Sequence, residues 1–446
     1  MLGWNRIAIL WLPLGLVLIC VLQEKWDHLS PIASASSIPS LTMPVAMVEV
    51  TAKGYRYWPR WRGPTGQGLA VDSGYPDTWS DRENVLWKVK ILGSGNSSPV
   101  IWGDRIFLTT SYDNGGRRSI LSLRRADGLQ LWEAFAPNRS PETATHPKNG
   151  YASGTPATDD ERIYAYLGNH GLLAVDFNGK QVWHQDLGLI DPLHGVAGSP
   201  LLYRDRVIIF QDHRAPSGSF VAAFDKRTGK KLWWTKRDVK GNGWGSPVAV
   251  RVGDHDEIIV SGEKWVNAYD PDSGRELWRC EGNTDAVAPT PVVGHGLVFC
   301  SSGRAGPTLA IRPGGSGDVT STHLAWQTPK GSPYIPSPLL YGDYLYLVND
   351  MTGIATCYAA KTGTLIWQNR LTETRRESFS ASPVGVDDKV FFTSDDGETF
   401  VLKVGPEFKL LRVNCMYEQT LASPALVDGR WYFRTAAHLI CIGRPS

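Results

Sequence analysis

Eight times along the chain a proline preceded by a small residue stands just before a short apolar run. These are Pro99, Pro156, Pro200, Pro247, Pro291, Pro338, Pro383 and Pro424, spaced 41 to 57 residues apart. A repeat of this length means that one supersecondary unit is built over and over, and no other feature restricts the fold as strongly. Each run leads through a Gly-Asp-like turn to a second apolar strand, as in WGDRIFLTT, YRDRVIIF and YGDYLYLV. A third strand then ends in a hairpin turn and a tryptophan, as in AVDFNGKQVW, AFDKRTGKKLW and AYDPDSGRELW. Glycine in these turns supplies the positive φ of a tight hairpin. Four short antiparallel strands per period make a propeller blade.

The fourth strand of successive units carries Trp132, Trp183, Trp233, Trp278, Trp326 and Trp367, and the seventh unit has Leu411 instead. The eighth unit reaches the C-terminus with three strands. Its missing strand is expected from residues 84–91, which hold the orphan Trp87 in the same pattern. Closure by both chain ends leaves the ring without a free edge. The expected fold is therefore an all-β, eight-bladed propeller over residues 58–443. A fixed position after every hairpin makes the seven tryptophans blade-to-blade packing rather than ligand contacts.

Ahead of the propeller, Ile7 to Leu22 is almost unbroken apolar sequence behind Arg6, and Glu24, Lys25 and Asp27 follow it. Residues 1–23 are expected to form a transmembrane anchor or a cleaved signal, with everything after Leu22 outside the cytoplasm. Residues 24–57 are expected to be a flexible linker, since 29–48 are uncharged and rich in Ser, Pro and Ala. The protein is thus expected at the cell membrane, single-pass and facing the periplasm, or secreted if the signal is cleaved. Lys and Arg total 46 against 44 Asp and Glu, without a long run of either sign, so a nucleic-acid partner is not expected. Six cysteines occur with neither an adjacent pair nor Cys-x-x-Cys, which leaves buried free thiols or one disulfide.

The turn-Gly-x-x-x-Trp pattern resembles the pyrroloquinoline quinone repeat. That repeat is shared by quinoprotein dehydrogenases, by the propeller lipoprotein of the outer-membrane β-barrel assembly machine, and by exported bacterial proteins abundant in planctomycetes. WPRWRGPTGQG, GSGNSSPVIWGDRIF, HPKNGYASGTPATDDERIY and SPALVDGRWYFRTAAHLICIG are similar to the last group. The resemblance implies the fold; the repeat is a scaffold for enzymes and non-enzymes alike. The dehydrogenases it names hold calcium beside the quinone and cover the ring with a disulfide between adjacent cysteines, which this chain lacks. No cofactor and no metal are expected. His-Glu-x-x-His, P-loop and Gly-x-Ser-x-Gly motifs are absent, and DPDSG at 270–274 reads as a hairpin turn rather than a calcium loop.

Loops joining each outer strand to the next inner strand gather at one mouth of the central channel. They bring Asn96, His146, Lys148, Asn149, His194, Trp244, Asp285, Tyr334, Glu377 and Glu418 to a candidate ligand-binding ring, with no catalytic residue singled out. Lys148 and the two glutamates lie across the ring from one another, which implies a positive and a negative side. The function expected is a non-catalytic, monomeric scaffold that binds an envelope protein, peptide or carbohydrate. The alternative is an enzyme with its site at the mouth, a quinone-dependent dehydrogenase included.

Overall fold

The structure is a computed structural model, and it describes residues 44–445 apart from 143–144, 216, 240, 305 and 373–377. Eight sheets follow the order of the repeat. Blade 1 comprises Val100–Trp102, Arg105–Tyr112, Arg117–Arg124 and Gln130–Phe135, each strand antiparallel to the next. Blades 2 to 7 repeat this within 157–185, 201–236, 248–281, 292–327, 339–370 and 384–415. Blade 8 joins Ala425–Val427, Arg430–Arg434 and His438–Ile442 to Val85–Lys90, with Trp87 opposite Cys441. The ring is closed by its two chain ends, as the orphan tryptophan indicated.

Middle strands are covered by neighbouring blades on both faces, which is why they read as continuous apolar runs instead of alternating ones. The strand Arg206–Gln211 (RVIIFQ) is buried along almost its whole length, whereas the outer strand Lys231–Lys236 buries chiefly Trp233. The hairpin tryptophans reach across to the following blade. Trp132 Nε1 donates to the Phe177 carbonyl at 2.8 Å, Trp183 to Lys226 at 3.0 Å, Trp233 to Pro271 at 3.1 Å and Trp326 to Ala360 at 2.9 Å. The acceptor's hairpin glycine lies flat on the same indole. Gly179 has φ +81°, and a Cβ there would come within 2.7 Å of the Trp132 ring. Backbone conformation and close packing thus require glycine at one position for two separate reasons.

Three blades depart from the pattern, the simplest being blade 8, where the buried Nε1 of Trp87 has no hydrogen-bond partner among the described residues. The fully buried Trp278 donates instead to Glu257 Oε2 at 2.8 Å, because blade 5 replaces the usual turn with Gly317–Asp318, paired parallel to blade 4, and the short helix Thr320–His323. At Leu411 the missing tryptophan predicted a weaker contact between blades 7 and 8. The structure corrects this. Trp79, from the segment before the closing strand, is 2% exposed and packs 5.3 Å from Trp431, 5.5 Å from Phe433 and 6.2 Å from Phe391. The backbone N–H of Trp79 donates to Asn414 at 3.2 Å.

The small residue before each anchor proline also has a physical reason. The backbone N–H of Ser98 donates to Thr155 Oγ1, that of Thr155 to Ser199 Oγ, and so on through Ser246, Thr290, Ser337, Ser382 and Ser423, at 2.8 to 3.2 Å. Buried N–H groups need partners, and a hydroxyl supplied by the next blade satisfies each one without bulk in the channel.

Residues 44–57, expected as the end of a flexible linker, lie on the propeller: Val45–Met47 adds a strand to the inner edge of blade 4. The chain then crosses the end of the channel opposite the mouth. Trp58 pairs with Ile101 of blade 1, Pro59 accepts from Thr158 of blade 2, Arg62 donates to Pro338 of blade 6, and Ala70 donates to Gly385 of blade 7. The anchor or signal expected over 1–23 lies outside the described residues. Among those described, no helix is long and apolar enough to cross a membrane. All five described cysteines are free thiols, and Cys280, Cys300, Cys357 and Cys441 are buried in blades. The 270–274 turn is a hairpin, with Asp270 Oδ1 accepting from the backbone of Asp272 and Ser273.

Candidate functional site at the channel mouth

Connections from outer to inner strands and hairpins between second and third strands open at the same end of the ring. They enclose a pocket of about 200 Å³ lined by Asn96, His146, Lys148, Asn149, His194, Trp244 and Tyr334, with Arg304, Ile335 and Leu421 among its other walls. Below it the channel narrows through the hydroxyl ring to Trp61, whose Nε1 donates to Thr290 Oγ1 at 3.1 Å.

Seven of the ten expected residues therefore converge. Asn96 Nδ2 donates to the Asn149 carbonyl at 2.8 Å, and Asn149 Nδ2 donates to the His194 carbonyl at 2.7 Å. Their amides hold loop 137–152 in place rather than facing a ligand. That loop is pinned further out by the fully buried ion pair of Arg118 with Glu142, whose Oε1 also accepts from Asn169 N at 2.8 Å. Aromatic side chains form an arc. The rings of His146 and His194 lie 5.2 Å apart, His194 stacks on Trp244 at 5.7 Å and 16°, and Trp244 meets Tyr334 edge-on at 6.4 Å. Trp244 Nε1 donates to the Gly195 carbonyl at 2.7 Å, which fixes the indole. Burial, and then the neighbouring His146, push the His194 pKa down.

Three expected residues do not join them. Asp285 is exposed on the rim and does not line the pocket. Glu377 lies outside the described residues. Glu418 is turned to blade 8, where it pairs with Lys88 and with His438 Nδ1 at 2.9 Å. Burial opposes its charge, but hydrogen bonds from Lys88, Thr435 and His438 prevail and hold its carboxyl below the usual range. The positive and negative sides expected of the mouth are not kept apart either. Lys148 reaches over the channel to Asp395 Oδ2 at 2.8 Å and to Ser378, so its charge is paired.

Sequence reasoning missed Arg304, Asp350 and Asp395. Tyr334 N donates to Asp350 Oδ1 at 2.9 Å, and burial raises the Asp350 carboxyl. Arg304 lies over the Tyr334 ring, 5.4 Å from its centroid. All three sit in hairpins between second and third strands, which open on the mouth as surely as the connections between blades. The signal was present in YLYLVNDMTG and VFFTSDDG, where a strand of each unit ends in acidic residues.

The family of the outer membrane protein assembly factor BamB matches residues 116–369, more than half of the chain. The chain belongs to the BamB family. No protein of curated function matches the sequence. Among solved structures, BamB from Moraxella catarrhalis is similar at 14% identity and a TM-score of 0.58, over 81% of this chain and 98% of that one. The quinohemoprotein alcohol dehydrogenase from Comamonas testosteroni is similar at 11% identity and a TM-score of 0.63, over 89% and 82%. The computationally designed Ika8 protein is similar at 11% and 0.58, over 80% and 99%. Identities this low speak for the fold alone.

The dehydrogenase likeness raises a quinone with its calcium, and the residues of this BamB-family mouth do not fit that pair. The described cysteines lie within blades and none is adjacent to another. Among the described residues no group of three or more His, Cys, Asp or Glu is placed to hold a metal ion.

Proposed function

We propose that this chain is a non-catalytic propeller scaffold, tethered to the membrane through residues 1–23 on the extracytoplasmic side, that binds a partner protein or peptide at its mouth. One observation carries the reading: the loops and hairpins at the mouth leave large apolar side chains exposed. Leu189 is 70% exposed, Leu92 and Met351 59% and Tyr417 75%, and each sits in a mouth loop or hairpin. Large apolar side chains exposed on the loops of one face are a feature of interaction surfaces. The assembly-factor description of the family supports a protein partner.

Two results are expected. Met351→Ala and Tyr417→Ala, changes at exposed side chains, should leave melting within about 0.5 kcal/mol of the parent while capture of the partner falls. Unchanged capture in both variants would remove the mouth from consideration. An alkaline phosphatase fusion placed after Ser40 should be active in cells; an inactive fusion would put the propeller in the cytoplasm.

A further inference from the structure

Arg304 stands at the edge of the pocket, stacked on Tyr334, and forms no ion pair among the described residues. Of the charged groups around Tyr334, Asp285 is exposed on the rim and Asp350 accepts from Tyr334 N. Lys148 is paired with Asp395, and burial and His146 disfavour a charge on His194. The pocket it borders has Trp244, Tyr334, Ile335 and Leu421 among its walls, together with polar side chains such as Asn96, Asn149 and Ser380. Arg304 hydrogen-bonds the Tyr334 side chain but no carboxylate, and a planar guanidinium beside an aromatic wall suits a carboxylate carried a few atoms from a flat ring. The volume of about 200 Å³ admits one such group and not a chain.

We infer that the mouth pocket recognises an aromatic ring bearing a carboxylate, with the ring against Trp244 and the carboxylate on Arg304. This rests on the mouth being the binding face and names the group that enters it. Such chemistry is presented by a free aryl-alkanoic acid and by a polypeptide that ends in an aromatic residue. The side-chain amides of Asn96 and Asn149 are engaged by loop carbonyls, and their backbone N–H groups by Ala152 and His146, so specificity falls on Arg304 and on the ring stack.

The test measures calorimetric binding of four probes to the whole chain: 3-phenylpropionate, its amide, a blocked tripeptide ending in phenylalanine with a free carboxylate, and that peptide amidated. At least one acid should bind about tenfold more tightly than its amide, the scale of one charge-assisted hydrogen bond. Arg304→Gln, an exposed position, should abolish that preference while melting is unchanged. Preference confined to the small acid identifies a free ligand, and tighter binding of the peptide acid identifies a chain terminus. Equal binding of acid and amide, no binding of any probe, or a preference that survives Arg304→Gln overturns the inference. Fragment binding needs no partner. If the acid preference holds but Met351→Ala and Tyr417→Ala leave partner capture intact, the docking reading fails and this one stands.

Discussion

A chain that begins at Gly93 will aggregate instead of folding to a monomer. The truncation removes Val85–Lys90, which pairs with His438–Ile442, and so leaves blade 8 with an open edge of unpaired backbone groups. It also removes Trp58, Tyr75 and Trp79, all buried in the core that blades 7, 8 and 1 share. With them goes the segment that closes the channel, whose Arg60 and Arg62 donate to backbone carbonyls there. Light scattering after size exclusion should show large species. A monodisperse monomer that melts like the parent would contradict closure by the N-terminal strand.

Trp278→Ala will cost about 3–5 kcal/mol, the range for deleting a large aromatic side chain from a packed core. The indole is fully buried between Val250, Ile259, Val266 and residues of blade 5 in the same cluster. Its loss also strips a donor from Glu257, a carboxylate that is 1% exposed and whose pKa burial already raises. Denaturant unfolding measures the effect, and a loss below about 1 kcal/mol would mean that the tryptophans are not what holds blades together.

Those tryptophans were readable because a propeller is nearly one-dimensional. Each blade touches its neighbours, so one local rule, hairpin glycine beneath the preceding indole, repeats with the chain and can be seen in it. The anchor prolines are readable for the same reason, although the hydroxyl ring that explains Ser98 to Ser423 becomes visible only when blades are placed side by side. The crossing segment has no period. Arg62 meets Pro338 and Trp79 meets Asn414 across 276 and 335 residues, contacts for which a single sequence offers no pattern. Hence residues 44–57 resembled linker, and Leu411 resembled a weakness that Trp79 in fact fills. At the mouth the loops could be located but not their directions. His194 and Trp244 face the pocket, while Glu418, in an equivalent loop, meets Lys88 and His438 on its own side.

Site-specific photo-crosslinking in intact cells tests the central claim most directly. A photoreactive residue is placed singly at Leu189, Met351 or Tyr417 on the mouth, and at Val182, Leu232 or Leu365 on outer strands, all exposed positions. The account predicts one common adduct from the three mouth positions and none from the outer strands. The same adduct formed from the outer strands, with the mouth silent, would contradict it.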